Sequence, residues 1–204
     1  MLPVLYRDDH VIALDKPFGL LSVPGRGPEK IDSLATRVQA EFPEARVVHR
    51  LDMETSGVML MALDARSHRH LNRQFEQRRT QKTYVAVVAG RVALDEGEID
   101  QPLIKDFDRP PRHKICHDFG RQAITHWRVE RRGDDRTRLE LSPVTGRSHQ
   151  LRIHMLHIGH PILGDVLYAP EDVQAMSERL LLHAAELTVT HPETHELLTL
   201  RSDC

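Results

Sequence analysis

The sequence predicts an α+β fold built on a mixed, mostly antiparallel sheet, and three observations carry that expectation. Short strand-like runs outnumber helical ones, turn signals of the hairpin kind separate several of them, and few regular crossover helices are present to wind a parallel sheet. With 204 residues, 40% of them hydrophobic, the chain is long enough for one ordinary core, and a single domain over 1–204 is expected.

The elements follow in order. Residues 11–14 and 19–23 read as strands separated by Lys16-Pro17, because proline cannot donate to a sheet ladder. Ile31, Leu34, Ala35 and Val38 recur at helical spacing, with Asp32 or Ser33 as cap. Residues 58–63 form a continuous apolar run after Gly57, the mark of a buried strand. Leu71 and Phe75, four apart among charges, predict an amphipathic helix over 66–78. A strand over 84–89 and an acidic turn around 95–97 come next. Pro110-Pro111 places 105–120 in an exposed loop or an edge strand pair. Residues 124–129 and 138–141 alternate as antiparallel strands around a Gly133-Asp134-Asp135 turn. Residues 149–158 read as a helix with Ser148 as cap and Gly159 as terminator. Two closing strands over 180–189 and 197–200 complete the chain.

Composition excludes several classes. No apolar run approaches the roughly 20 residues of a spanning helix, and no signal-peptide pattern opens the chain. Cys116 and Cys204 lack C-x-x-C spacing and cannot frame a disulfide scaffold, so a cytoplasmic protein is expected. The net charge of −2 argues at first against a nucleic-acid partner, but it hides a segregation. Residues 65–84 hold six basic side chains against one acidic, and 105–152 hold twelve against seven. Each segment is net +5, leaving −12 elsewhere, which permits a basic face on a nearly neutral molecule; two solvated surfaces would give the same count.

Three constellations can carry chemistry. His49-Arg50-Leu51-Asp52 followed by Thr55-Ser56-Gly57 sets a carboxylate beside a guanidinium just before a buried strand, a place for a base or nucleophile and equally for an ordinary turn. Thr145-Gly146-Arg147-Ser148-His149-Gln150-Leu151-Arg152 offers a tight turn from which Arg147 can meet a carboxylate or phosphate, with His149 and Arg152 on one helical face. Lys82-Thr83-Tyr84 puts an aromatic ring beside cations, where it can stack on a base or simply pack. His149, His154, His157 and His160 raise the question of a metal. No acidic or cysteine ligand stands at zinc spacing among them, and no metal is expected. Neither G-x-G-x-x-G nor G-x-x-x-x-G-K occurs.

Taken together and in this order, Lys16-Pro17 with Gly19-Leu20, the 49–57 run, Lys82-Thr83-Tyr84, the 145–152 run and Leu181-Leu182-His183-Ala184 resemble the motifs of the RluA-type pseudouridine synthases over nearly the whole chain. Within that family the 22–26 run and the 105–127 segment look closest to the branch that modifies both a 23S rRNA hairpin and tRNA anticodon stem-loops. The resemblance implies the pseudouridine synthase fold, with flanking helices and loops around a central catalytic cleft, and a uridine-to-pseudouridine isomerisation that needs no cofactor. It implies Asp52 as the essential carboxylate, Arg147 as its paired cation, Tyr84 stacked on the uracil and Leu182 in an apolar wall. Arg50 is implied as the residue that enters the RNA stack when the target nucleotide leaves; His49, Lys82 and Arg152 join it as substrate-binding candidates.

Those roles are chemically coherent. The N1–C1′ bond must break, the uracil must turn and C5 must join C1′, so the base cannot stay stacked; flipping costs a few kcal/mol, which aromatic stacking can offset. Attack of Asp52 on C1′ and abstraction of the C2′ proton both fit a carboxylate at this place. Many relatives carry an N-terminal S4 domain, and none is expected here, so RNA affinity is expected from 65–84 and 105–152. Structured RNA is the expected partner, with no membrane, no protein partner and a monomeric state. Two rival readings are a catalytically silent RNA-binding module and a histidine-dependent metal hydrolase.

Overall fold

The computed structural model describes residues 3–203, and these divide into two compact units: one of residues up to 82 with 183 onward, the other of 83–182. In the first unit the strand order is β1 (Val4–Arg7), β2 (Val11–Lys16), β4 (Ser56–Ala62) and β11 (Leu182–Thr190), with β3 (Arg46–Val47) on β4 and β12 (Leu197–Arg201) on β11. All these pairs are antiparallel except β4 with β11, which run parallel through His183 opposite Ser56 and Ala184 opposite Gly57. β4 is buried at every one of its positions, as its unbroken apolar run predicts. Gly57 makes the parallel approach possible. Its φ is +112°, and a Cβ there would stand 2.3 Å from the Ala184 carbonyl oxygen.

Two helices cover this unit. α1 (Leu34–Gln39) is capped by Ser33, whose hydroxyl takes the Thr36 amide while the Thr36 hydroxyl takes the Ser33 amide. α2 (Ala65–Glu76) is capped by Asp64, which accepts from the amides of Arg66 at 2.7 Å and Ser67 at 2.8 Å. Burial alone would raise the Asp64 carboxyl, but these bonds, with those from the Ser67 hydroxyl and His10, hold it at about 2. Leu71 is fully buried, and Gln74 is buried where it exchanges two hydrogen bonds with the backbone of Thr190 on β11.

In the second unit β5 (Gln81–Ala89), β10 (Arg136–Pro143), β9 (Ile124–Arg132) and β6 (Glu96–Asp100) follow one another antiparallel. A separate hairpin joins β7 (Leu103–Lys105) to β8 (His113–Ile115). α3 (Gln150–His157) and the short α4 (Glu171–Gln174) complete it. Ala86, Val88, Leu139, Leu141, Leu151, Met155 and Leu182 share one apolar cluster, with Tyr84 packed against it.

Three expectations change. Residues 19–23 form no strand beyond an isolated bridge from Leu21 to Ser33, because Gly19 turns at φ +80° and the Leu20 carbonyl is taken by the Lys16 ammonium. The acidic stretch near 95–97 is a turn only at its start, since Glu96 and Gly97 already pair with Arg128 and Trp127 on β9. Ser148 does not cap α3. The N-cap is His149, held left-handed at φ 56° with no side-chain cap bond. β1, β3 and α4 carry too little pattern to be read in advance.

Candidate active site

Asp52 lies in a loop that the first unit fastens from three directions. The buried Ser22 hydroxyl donates to the Leu51 carbonyl at 2.7 Å and accepts from the Leu51 amide at 3.0 Å, fixing the residue before Asp52 at both ends. The Lys16 ammonium, at the end of β2 and fully buried, donates to the carbonyls of Pro17 at 3.0 Å, Leu20 at 2.7 Å and Met53 at 3.0 Å. Gly19 N–H donates to the same Met53 carbonyl, and Thr55 N–H closes the turn onto the Asp52 carbonyl. Burial pushes the Lys16 ammonium down to about 8, while the charges of Asp52 and Glu54 act in the opposite sense. A buried cation thus stands in the electrostatic range of Asp52, and three satisfied carbonyls fix its position.

The flanking residues take distinct places. Asp52 is half-buried and Arg50 is exposed, with no hydrogen bond or ion pair of Arg50 among the described residues. His49 points inward. Its Nε2 accepts the Leu60 amide at 2.9 Å and its ring stacks on Phe75 with centroids 4.9 Å apart. Desolvation, then the charge of Lys82, pushes the imidazole down to about 3, so it stays neutral and acts as an acceptor. Lys82 is half-buried and is itself pushed down by burial and by Arg78. After the loop, Ser56 Oγ meets His183 Nδ1 at 2.9 Å, and His183 Nε2 donates to the Ser202 carbonyl, fastening β4 to β11.

In the second unit Gln150 organises the turn that carries Arg147. Its buried amide oxygen accepts from the Thr145 hydroxyl at 2.7 Å and the Arg147 amide at 3.0 Å; its NH2 donates to the Ile124 carbonyl and Thr125 Oγ1, both at 2.9 Å. Every polar atom of the side chain has a partner. The half-buried Arg147 guanidinium donates through Nε to the Gln122 carbonyl at 3.1 Å. Tyr84 is half-buried on β5 opposite Leu141, in contact with the cluster that contains Leu182. Arg152 is in the interior, 2% exposed, where its guanidinium makes a bidentate pair with the equally buried Asp165. That position makes it an internal brace of α3 and removes it from any surface an RNA could reach. His149 and Arg152 do converge, but on Tyr168: the hydroxyl meets His149 Nδ1 at 2.6 Å and Arg152 lies 5.1 Å from the ring centroid.

Of the other histidines of the metal reading, His157 is exposed at the end of α3 and the remaining two are engaged structurally. His154 is buried between Thr125 Oγ1 at 2.9 Å and the Gln101 carbonyl at 3.2 Å, and His160 Nδ1 meets the Ala89 carbonyl. Among the described residues no three His, Cys, Asp or Glu side chains gather as a metal site, and no helix is long and apolar enough to cross a membrane.

Comparison with known proteins, not the side chains alone, places the chain in a class: enzymes that modify RNA. Residues 10–157 match the family model described as RNA pseudouridylate synthase, and the chain belongs to that family. It is 56% identical to the dual-specificity RNA pseudouridine synthase RluA of Yersinia pestis over 93% of both chains. It is 50% identical to that of Escherichia coli strain K12 over 98% of this chain and 92% of the relative. Among solved structures, human RNA pseudouridylate synthase domain containing 1 superposes with a TM-score of 0.86 at 25% identity, covering all of this chain and 84% of the other. Human RNA pseudouridylate synthase domain containing 4 gives 0.81 at 24% identity over 98% and 88%, a likeness of fold.

Sequence reasoning missed Ser22, Gln150 and Tyr168 as organisers of these loops. Lys16 stood in the first motif without a role, and its one available signal was a lysine at the end of a strand run that opens with four apolar residues.

Proposed function

We propose that this protein isomerises uridine to pseudouridine in structured RNA, both in a 23S rRNA hairpin and in the anticodon stem-loop of tRNAs. The observation that carries the reading is the identity of 50–56%, over almost the whole chain, to relatives named as dual-specificity RNA pseudouridine synthases. In the reaction the N1–C1′ bond breaks, C1′ bonds to C5, and the C5 proton is lost while N1 regains one, so the product is an isomer of the substrate. Asp52 is the essential carboxylate in this reading, Arg147 its paired cation, Tyr84 the ring that stacks on the detached uracil, and Leu182 part of the apolar wall. Arg50, exposed and without an ion pair among the described residues, fills the RNA stack as the nucleotide flips out. Lys82 joins Arg50 in binding the RNA, while His49, its ring engaged by the Leu60 amide and Phe75, serves the unit from inside and does not meet the RNA. The chain acts as one catalytic domain and as a monomer.

The test is tritium release from C5-labelled uridine in 23S rRNA and tRNA transcripts, with and without EDTA. Release from both RNAs, undiminished by EDTA, is expected. No release from either overturns the enzyme reading, and loss in EDTA favours a metal-dependent one.

A further inference from the structure

The β7–β8 hairpin carries a residue that none of the roles above uses. Phe107, just past Lys105 at the hairpin tip, is 75% exposed. One exposed apolar side chain needs no explanation by itself; the surroundings of this one do. Lys105 Nζ stands 5.6 Å from the centre of its ring. The next residue, Asp106, has a carboxylate 2% exposed that pairs with Arg109 Nε at 3.1 Å and Lys114 Nζ at 3.2 Å. Backbone bonds from Asp106 N–H to the Arg112 carbonyl and from Arg112 N–H to the Arg109 carbonyl close the tip around it. At its base the His113 amide donates to the Tyr168 hydroxyl at 2.9 Å. A large apolar ring is therefore presented to solvent on an ordered loop, which lowers the entropic cost of stacking something on it.

The charge around it selects the partner. Lys105, Arg109, Arg112, Lys114 and Arg121 face Asp106, Asp108 and Asp118 along this segment, and the charge of Asp106 is taken up inside the tip. An aromatic face with a net cationic border suits a nucleobase joined to phosphates.

We propose that Phe107, with Lys105 beside it, is a second base-stacking platform that takes an unpaired base of the RNA substrate, distinct from the uridine that meets Tyr84. The proposal rests on the isomerase reading for the identity of that RNA. Phe107→Ala, Phe107→Leu, Phe107→Trp and Lys105→Ala are compared with the wild type by fluorescence anisotropy on a labelled stem-loop RNA across a salt series, beside tritium release at saturating RNA. Removal of one stacked base weakens binding by roughly 5- to 150-fold. That weakening is expected for the alanine and leucine variants with an unchanged salt slope, while tryptophan restores affinity and Lys105→Ala lowers the slope by roughly one. Tritium release at saturation should stay at the wild-type rate. Wild-type affinity in Phe107→Ala, or full affinity in Phe107→Leu, overturns the platform, as does capture of the protein by anionic phospholipid vesicles through Phe107 with RNA affinity unchanged. A wild type that binds RNA but releases no tritium defeats the isomerase reading alone, since the binding arm still decides the platform; a wild type that binds no RNA defeats both.

Discussion

Lys16 shows how a single residue can set the chemistry of a loop. A fully buried ammonium is costly, and this one is kept by three carbonyls, two of them belonging to the turn it starts and one to Met53, beside Asp52. Because burial brings it down to about 8, it is protonated at neutral pH and loses its charge on mild alkalinisation. A neutral amine has two N–H donors for three acceptors and no longer supports a carboxylate nearby. Turnover should therefore fall as pH rises through about 8 while RNA binding at fixed salt changes little. A pH–rate profile flat from neutrality to pH ~9.5 would contradict this role. The two candidate groups nearest Asp52 in sequence behave differently. Arg50 is exposed, whereas His49 is turned inward as a neutral acceptor for Leu60. Sequence alone could not separate them, because their order in the motif says nothing about which way each side chain points.

At the scale of elements, what was readable depended on how local the cause is. β4 and α2 were legible because an apolar run and an i, i+4 pair state their burial directly. Residues 19–23 misled because a lysine elsewhere takes the carbonyl a strand would use. The clasp between Ser56 and His183 joins positions 127 apart, and Lys16 reaches Met53 across 37; no window on the sequence contains either. The turn before α3 is a similar case. Its geometry comes not from the expected Ser148 cap but from Gln150, whose four hydrogen bonds tie Thr145 and Arg147 to the start of β9. Gln150→Ala should cost about 1–3 kcal/mol of stability by urea unfolding, from the partners it orphans. It should also reduce kcat by on the order of 10- to 100-fold through misplacement of Arg147, with RNA affinity nearly unchanged. A variant that loses affinity and keeps kcat would remove Gln150 from this positioning role.

For the whole molecule, the structure refines what the charge segregation means. Many cations of 105–152 are spent internally: Arg128 on Glu140, Arg132 on Asp95, Arg136 on Asp135, Arg138 on Glu130 and Arg152 on Asp165. In 65–84 the exposed Arg69, Arg73, Arg78 and Arg79 have no ion pair among the described residues. Lys105, Arg112, Arg121, Arg131 and Arg147 of 105–152 likewise have no ion pair among the described residues, so both segments keep cations to offer a phosphate, and in 65–84 four of them are exposed arginines. Changing these four arginines to glutamine should lower the slope of log affinity against log salt by up to about 3, at roughly 0.7 for each phosphate no longer neutralised. An unchanged slope would place the RNA elsewhere.

The central claim is that this chain makes pseudouridine and that Asp52 is indispensable to it. Nucleoside analysis of stem-loop RNA digested after reaction tests both at once, because the product has the mass of uridine and a different retention. The wild type should convert the target uridine stoichiometrically. Asp52→Asn should bind the same RNA within a few-fold and yield no pseudouridine; pseudouridine formed by that variant at the wild-type rate would contradict the account.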